Sequence, residues 1–127
     1  MQVSMLRAKL HQARVTAADI NYVGSITIDE ALLEQAGMFV WEKVLVVDIE
    51  NGARFETYII PGTPNSGAIE LNGAAARLVT IGDRLIIMAF CQTDYPPAKD
   101  WSPRILFLDE DNTVKSAEGG FPDAADH

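Results

Sequence analysis

From Met5 to Val15 apolar and polar residues alternate: Leu6, Ala8 and Leu10 fall on one face, and Arg7, Lys9 and His11 on the other. A period of two marks a half-buried strand. The chain then continues extended from Val15 to Val23, with a kink expected at Thr16–Asp19. Thr27 followed three residues later by Glu30 reads as a capping box. Apolar residues at helical spacing follow, and Gly37 supplies a stop, so the pattern predicts a short helix over Ile28–Ala36. Two β-rich runs, Val44–Ile49 and Arg54–Ile60, flank Glu50-Asn51-Gly52, and Asn-Gly between strands is a hairpin signal.

Pro61–Gly67 is dense in loop formers, and Ala68–Leu71 is a short strand. Asn72-Gly73 turns into one or two helical turns over Ala74–Leu78. Gly82-Asp83 leads into an apolar strand, Arg84–Phe90; a loop, Thr93–Pro103, precedes the last predicted strand, Arg104–Leu108. Many short strands with two small helices predict a closed β-barrel. Each half repeats helix, turn and apolar strand, over Ala31–Val47 and Ala74–Met88. Gly82-Asp83 before Leu85-Ile86-Ile87 is similar to the Gly-Asp turn of double-psi barrels, although an ordinary hairpin turn explains that dipeptide as well. At 127 residues one domain is expected, over residues 1–115, with a small, acidic, frayed tail at 116–127.

Composition narrows the function classes. Cys91 is the only cysteine, so no internal disulfide forms, which fits a reducing cytoplasm. Met1–Leu10 has no apolar core of a signal peptide, and no apolar run reaches membrane-spanning length. A net charge of −8 argues against nucleic acid as a partner, because phosphate binding needs clustered cations. Should the substrate be an anion, the few cations must be focused in one pocket, which directs attention to Lys9 and Arg54. Cys/His pairs at metal spacing, a phosphate-cradling Gly-rich loop and a G-x-S-x-G elbow are all missing, so no metal site is expected. With His127 in the tail, His11 is the one candidate base for a triad, and a structural hydrogen bonder near a subunit contact is its plainer role.

Tyr22-Val23-Gly24-Ser25 is the informative segment. By composition it is a turn. A Gly-Ser pair also permits backbone cleavage, because a serine hydroxyl can attack the preceding carbonyl where the chain is bent. Gly24 has no Cβ, tolerates strained dihedrals and leaves its carbonyl open. An N-to-O acyl shift followed by β-elimination would leave dehydroalanine. Hydration and loss of ammonia then give a pyruvoyl group, whose ketone takes up an amine as a Schiff base and draws in electrons, as pyridoxal phosphate does elsewhere.

Four blocks in register carry a family resemblance. Lys9-Leu10-His11, Val15-Thr16, Ala18-Asp19 and Tyr22-x-Gly24-Ser25 resemble the amino-terminal signature of aspartate 1-decarboxylases. Asn51-Gly52-x-Arg54-Phe55-x-Thr57-Tyr58, Asn72-Gly73-Ala74-Ala75-Ala76-Arg77 and Gly82-Asp83 with Ile86-Ile87 resemble the later blocks, out to about Val114. The resemblance implies a six-stranded double-psi β-barrel, mainly β with short helices. It implies autocatalytic cleavage of a zymogen into residues 1–24 and 25–127, and decarboxylation of L-aspartate to β-alanine for pantothenate biosynthesis. It implies a covalent pyruvoyl group made from Ser25, with neither metal nor pyridoxal phosphate. A cytoplasmic homotetramer with active sites between subunits is implied too, with room for a maturation factor.

Roles transfer by position. Ser25 becomes the pyruvoyl and Gly24 ends the small chain, with Tyr22 close to the scissile bond. Thr57 would serve the oxyanion, Asn72 the processing loop, and Tyr58 proton return. Lys9 and Arg54 would hold carboxylates, alongside Thr57, Asn72, Gly73, Ala74 and Ala75 around the substrate. The plain alternatives are a solvated Lys9, an Arg54 paired with Glu56, and β-formers and a turn residue at Thr57, Tyr58 and Asn72. On a regular strand Arg54 and Tyr58 share a face and Thr57 opposes them, so one pocket uses all three only with a bulge or a subunit interface. Val47 stands where some members carry tryptophan. Two rivals remain: a pyruvoyl decarboxylase for another amino acid such as glutamate, and a non-catalytic barrel acting as a binding module.

Overall fold

The opening alternation becomes β1, Gln2–Arg14, in the computed structural model, which describes residues 1–120. Ala8, Leu10 and Ala13 are its fully buried residues. Strict alternation would bury Gln12 instead of Ala13. The register against its neighbour slips between His11 and Ala13, and Gln12 takes φ 65°, so a bulge restores the apolar side chain to the core.

The other elements are β2 (Ala17–Asp19), β3 (Ser25–Asp29), α1 (Glu30–Ala36), β4 (Lys43–Asp48), β5 (Arg54–Gly62), β6 (Ile69–Asn72), a 3₁₀ turn over Gly73–Leu78, β7 (Arg84–Asp94), β8 (Arg104–Leu108) and β9 (Val114–Glu118). They form one sheet in the order β2-β6-β3-β5-β4-β7-β1-β8-β9. Three neighbouring pairs are parallel, β1 with β8, β2 with β6 and β3 with β5, and the rest are antiparallel. The sheet curls around a single core that includes Leu10, Ile26, Ile28, Ile59, Leu71, Leu85, Ile87 and Leu106. The molecule is therefore mainly β and barrel-like with short helices, as expected.

Among the described residues the hydrogen-bonded ladder holds nine strands rather than six. The short β2 and the edge strand β9 add to the count, and β3 was hidden in the sequence. All five residues of β3 are buried, so it shows no alternation to read. The helix start is corrected accordingly. Asp29, not Thr27, is the N-cap, its carboxylate accepting from the Ala31 N–H at 2.8 Å. Gly37 ends α1 in the left-handed conformation at φ 72°, where a glycine is favoured. The Asp29 carboxylate also accepts from Asn65 N at 2.9 Å and Gly67 N at 2.8 Å, which ties the loop after β5 to the strand.

The β4–β5 hairpin forms as its Asn-Gly signal predicts, with Gly52 at φ 76°. β9 runs to Glu118, past the expected domain end at 115. The rest of the expected tail, from 121 onward, lies outside the described residues.

Candidate active site

β3 lies between β6 and β5, and Ser25 opens it. Across the antiparallel pair Ser25 faces Asn72. The Asn72 amide donates to Ser25 Oγ at 2.8 Å and to Thr27 Oγ1 at 3.0 Å. All three side chains are buried, Ser25 with only 1% of its surface exposed. The Ser25 hydroxyl donates over a long 3.5 Å to the Val23 carbonyl. Its oxygen is thus oriented by one firm hydrogen bond while its proton is weakly held. In the sequence the spacing of Thr27 and Glu30 imitates a helix cap, which hides Thr27 as a site residue. Strand parity would have found it, since residues 25 and 27 share a face.

The segment before Ser25 is shaped by Gly73. That residue sits at φ 67°, and a Cβ built there would lie 2.6 Å from Gly24 Cα and 2.8 Å from Gly24 N. Only a glycine lets the two backbones approach so closely. Gly24 itself and Tyr22 are exposed. Ala74 is exposed, whereas Ala75 is partly buried against the core.

On the other side, β3 runs parallel to β5 with Ile26 beside Ile59. Continuing that register one residue sets Ser25 beside Tyr58, and a further residue sets Gly24 beside Thr57. Tyr58 is half-buried and stacks on Trp41, ring centroids 5.7 Å apart at 26°. Ile59 is wholly buried and Phe55 packs against the core, so Arg54, Glu56 and Tyr58 face outward. Thr57 lies on the opposite face, and its hydroxyl makes no hydrogen bond among the described residues.

The two cations stand apart from Ser25. Arg54 is four residues from Tyr58, about 13 Å along the strand. Lys9 aligns across the sheet with Met88, Leu45 and Glu56, three strands from β5 and roughly 14 Å away. His11, Ile86, Val47 and Arg54 form the adjacent row. Neither Lys9 nor Arg54 makes a side-chain ion pair among the described residues. Glu56 pairs with Lys43 at 3.5 Å, so the alternative of an Arg54–Glu56 pair is not what forms. Val47 is half-buried beside Arg54.

His11 packs edge-on against Phe107, with its Nδ1 buried and unpartnered among the described residues. Burial, then Lys9 and Lys115, push its pKa below the usual histidine value. It sits on β1, far across the sheet from β3. A cleft of about 720 Å³ opens beside Tyr22, Thr27, Glu70 and Asn72; Lys9, Arg54 and Tyr58 do not line it. One chain therefore brings together Gly24, Ser25, Thr27, Asn72 and Gly73, with Thr57 and Tyr58 alongside. It does not bring Lys9 and Arg54 to them.

Comparison with known proteins gives a consistent result. A family model described as aspartate decarboxylase matches residues 1–115. The aspartate 1-decarboxylase of Clostridium novyi (strain NT) is 55% identical over 114 residues, covering 90% of this chain and 93% of the relative. That of Clostridium beijerinckii is 55% identical over 115 residues, covering 91% and 93%. That of Carboxydothermus hydrogenoformans is 54% identical over 114 residues, covering 90% of each.

Proposed function

The chain belongs to the aspartate decarboxylase family, and from that premise we propose that it cuts itself at Gly24–Ser25 and then converts L-aspartate to β-alanine and carbon dioxide. The observation that carries the first step is the buried Ser25 hydroxyl, hydrogen-bonded to Asn72 next to a Gly24 backbone pressed against Gly73. Ser25 Oγ attacks the Gly24 carbonyl carbon, the Gly24–Ser25 C–N bond breaks, and the hydroxyl proton passes to the freed amine. Thr57, beside Gly24 in the strand register, donates to the oxygen that gathers charge. Loss of the Ser25 Cα proton then expels the Gly24 carboxylate and leaves dehydroalanine. Water adds, ammonia departs, and a ketone remains at the start of residues 25–127.

The residues fit such a group because it is built from Ser25's own atoms, within a buried strand end furnished with the Asn72 amide and the Thr27 hydroxyl. Once formed, the pyruvoyl supplies an electron sink for the bond to the departing carboxylate. The remaining work falls to side chains. Arg54 grips a substrate carboxylate with its planar fork and Lys9 adds a point charge. Tyr58 returns a proton to carbon from beside Ser25. The backbone at Gly73, Ala74 and Ala75 lines the pocket, and Tyr22 lies close to the scissile bond.

Because Arg54 and Lys9 lie far from Ser25 within one chain, we assign the completed pocket to a homotetramer, with a neighbour supplying the cations. The outward face that bears Lys9 and Arg54 also carries half-buried Leu45, Val47, Ile86 and Met88, which supports burial there against another copy. We assign the reaction to the cytoplasm, feeding pantothenate biosynthesis, with a maturation factor as a partner that speeds the cut. No helix among the described residues is long and apolar enough to cross a membrane.

Intact mass of the purified protein tests the reading. Two fragments, 1–24 and 25–127, are expected, and the larger should resist Edman degradation and yield β-alanine from aspartate in preference to any product from glutamate. Ser25→Ala should remain one folded, inactive chain. An ordinary N-terminal serine on the large fragment, or turnover by Ser25→Ala, would overturn it.

A further inference from the structure

Trp41 stands out on two independent grounds. It adopts φ 74°, a left-handed conformation that is a genuine outlier for a bulky residue. Strain of this kind persists only where the surroundings impose it. The residue is also 72% exposed, so burial within its own chain does not repay that strain. The conformation closes a turn over residues 39–42, with Glu42 N donating to the Phe39 carbonyl at 3.1 Å, and it leaves the indole stacked on Tyr58.

The segment that carries Trp41 is firmly held. The Arg7 guanidinium bonds both carboxylate oxygens of Glu42 and the Gly37 carbonyl, and lies 5.6 Å over the Phe39 ring. Glu42 also accepts from Phe39 N at 3.1 Å. Trp41 N donates to the Ile59 carbonyl at 2.8 Å, and Ile59 N donates to the Glu42 carbonyl at 3.1 Å. Residues 37–42 are thereby clamped to β1 on one side and joined to β5 on the other, flanking Tyr58. The indole, carried on this held backbone, stacks against one face of the phenol ring.

We infer that Trp41 is a positioning residue for the reaction: it fixes the Tyr58 ring so that the phenol hydroxyl meets the carbon that must be reprotonated. This rests on the assignment of Tyr58 as proton donor. An offset stack restricts rotation of the phenol without contacting its hydroxyl. Proton transfer is sensitive to such restriction, because donor and acceptor must come within hydrogen-bond reach. Substrate binding through Arg54 and Lys9 is unaffected by it.

The test uses the whole self-cleaved enzyme, with complete cleavage verified by mass for every variant. Trp41→Ala should lower kcat about three- to tenfold with KM for aspartate within about twofold. Its solvent deuterium isotope effect on kcat should rise, because proton return becomes more rate-limiting. Trp41→Phe should recover most of kcat. Trp41→Gly, suited to φ 74°, should keep or raise Tm and yet show the kcat loss of Trp41→Ala, a combination that a merely structural tryptophan does not produce. Parental kcat in Trp41→Ala, an unrescued loss in Trp41→Phe, or a loss carried by KM would overturn the inference. Tyr58→Phe is the control for its premise. If that variant turns over at the parental rate, the proton-donor assignment falls; if it is inactive while Trp41→Ala is unchanged, only the role of Trp41 falls.

Discussion

At the C-terminal end of β3 the Asp29 carboxylate collects three backbone N–H groups, from Ala31 at 2.8 Å, Asn65 at 2.9 Å and Gly67 at 2.8 Å. At the N-terminal end, four residues earlier, the Ser25 hydroxyl receives one amide hydrogen bond of 2.8 Å and gives one long bond of 3.5 Å. Both side chains are buried on the same strand. A buried polar atom with all its partners holds architecture, because leaving those partners unpaired is costly. One with a slack proton and an open neighbour can still react. The difference in hydrogen-bond saturation along one five-residue strand separates what supports the site from what the site uses.

The largest effect that would sharpen this contrast belongs to Gly73. A methyl group there meets Gly24 backbone at 2.6 Å, and backbone cannot swing aside as a side chain does. Gly73→Ala should fold and keep the Asp29 end intact, yet cut itself roughly 100-fold more slowly, the cost of misplacing reacting atoms by about 1 Å. A time course of intact mass decides it, and parental kinetics would mean that Gly73 does not shape the scissile segment.

Asp29→Ala should do the reverse. Losing a cap and two loop contacts should cost about 3 kcal/mol of stability. Urea unfolding, compared in an uncut Ser25→Ala background, measures this. The folded fraction of Asp29→Ala with Ser25 intact should still cut at the parental rate. A stability loss under about 1 kcal/mol would show that saturation at that end is not structural.

The smallest effect concerns Asp48, a buried carboxyl intermediate between the two. One oxygen accepts from Glu50 N at 2.8 Å, and the other has no hydrogen-bond partner of standard geometry among the described residues. Burial first, then contact with the Asp83 carboxyl, raises its pKa to about 6. A carboxyl whose folded pKa exceeds its unfolded value of about 4 binds its proton more tightly when folded. Its stabilising contribution is therefore complete below about pH 4 and lost as pH rises to about 6. Asp48→Asn should flatten that part of the stability–pH curve, and an unchanged slope across pH 4–6 would exclude Asp48 as its source.

Legibility in the sequence followed the same divide. β1, the β4–β5 hairpin and the end of α1 were readable because a period, an Asn-Gly pair and a C-terminal glycine each act locally. β3 was not, since a strand buried throughout has no polar face to mark it. β9, Val114–Glu118, has little apolar content and depends on pairing with β8, a contact that no local pattern encodes. Gly24 and Ser25 are marked by the chemistry of a Gly-Ser pair as well as by the family resemblance, Asn72 and Tyr58 by the resemblance alone, and their gathering around β3 follows from strand register. Thr27 was assigned to the wrong element, and Trp41 carried no signal because its conformation is invisible in its identity. Lys9 and Arg54 were singled out by charge. Charge alone does not tell which surface of which copy they meet.

The place of β1 has a consequence for the fate of the small fragment. β1 sits inside the sheet, paired with β7 along one edge and β8 along the other. A cut after Gly24 therefore does not shed a propeptide. It turns an internal strand into a separate molecule that remains wedged between two partners. Unfolding of the cut protein becomes a dissociation, and its melting temperature should fall on dilution, whereas that of the uncut chain should not on this account. Reassembly of denatured fragments becomes a bimolecular search. The uncut chain must build its barrel before the cut, because afterwards the strand that completes the sheet is no longer tethered to it.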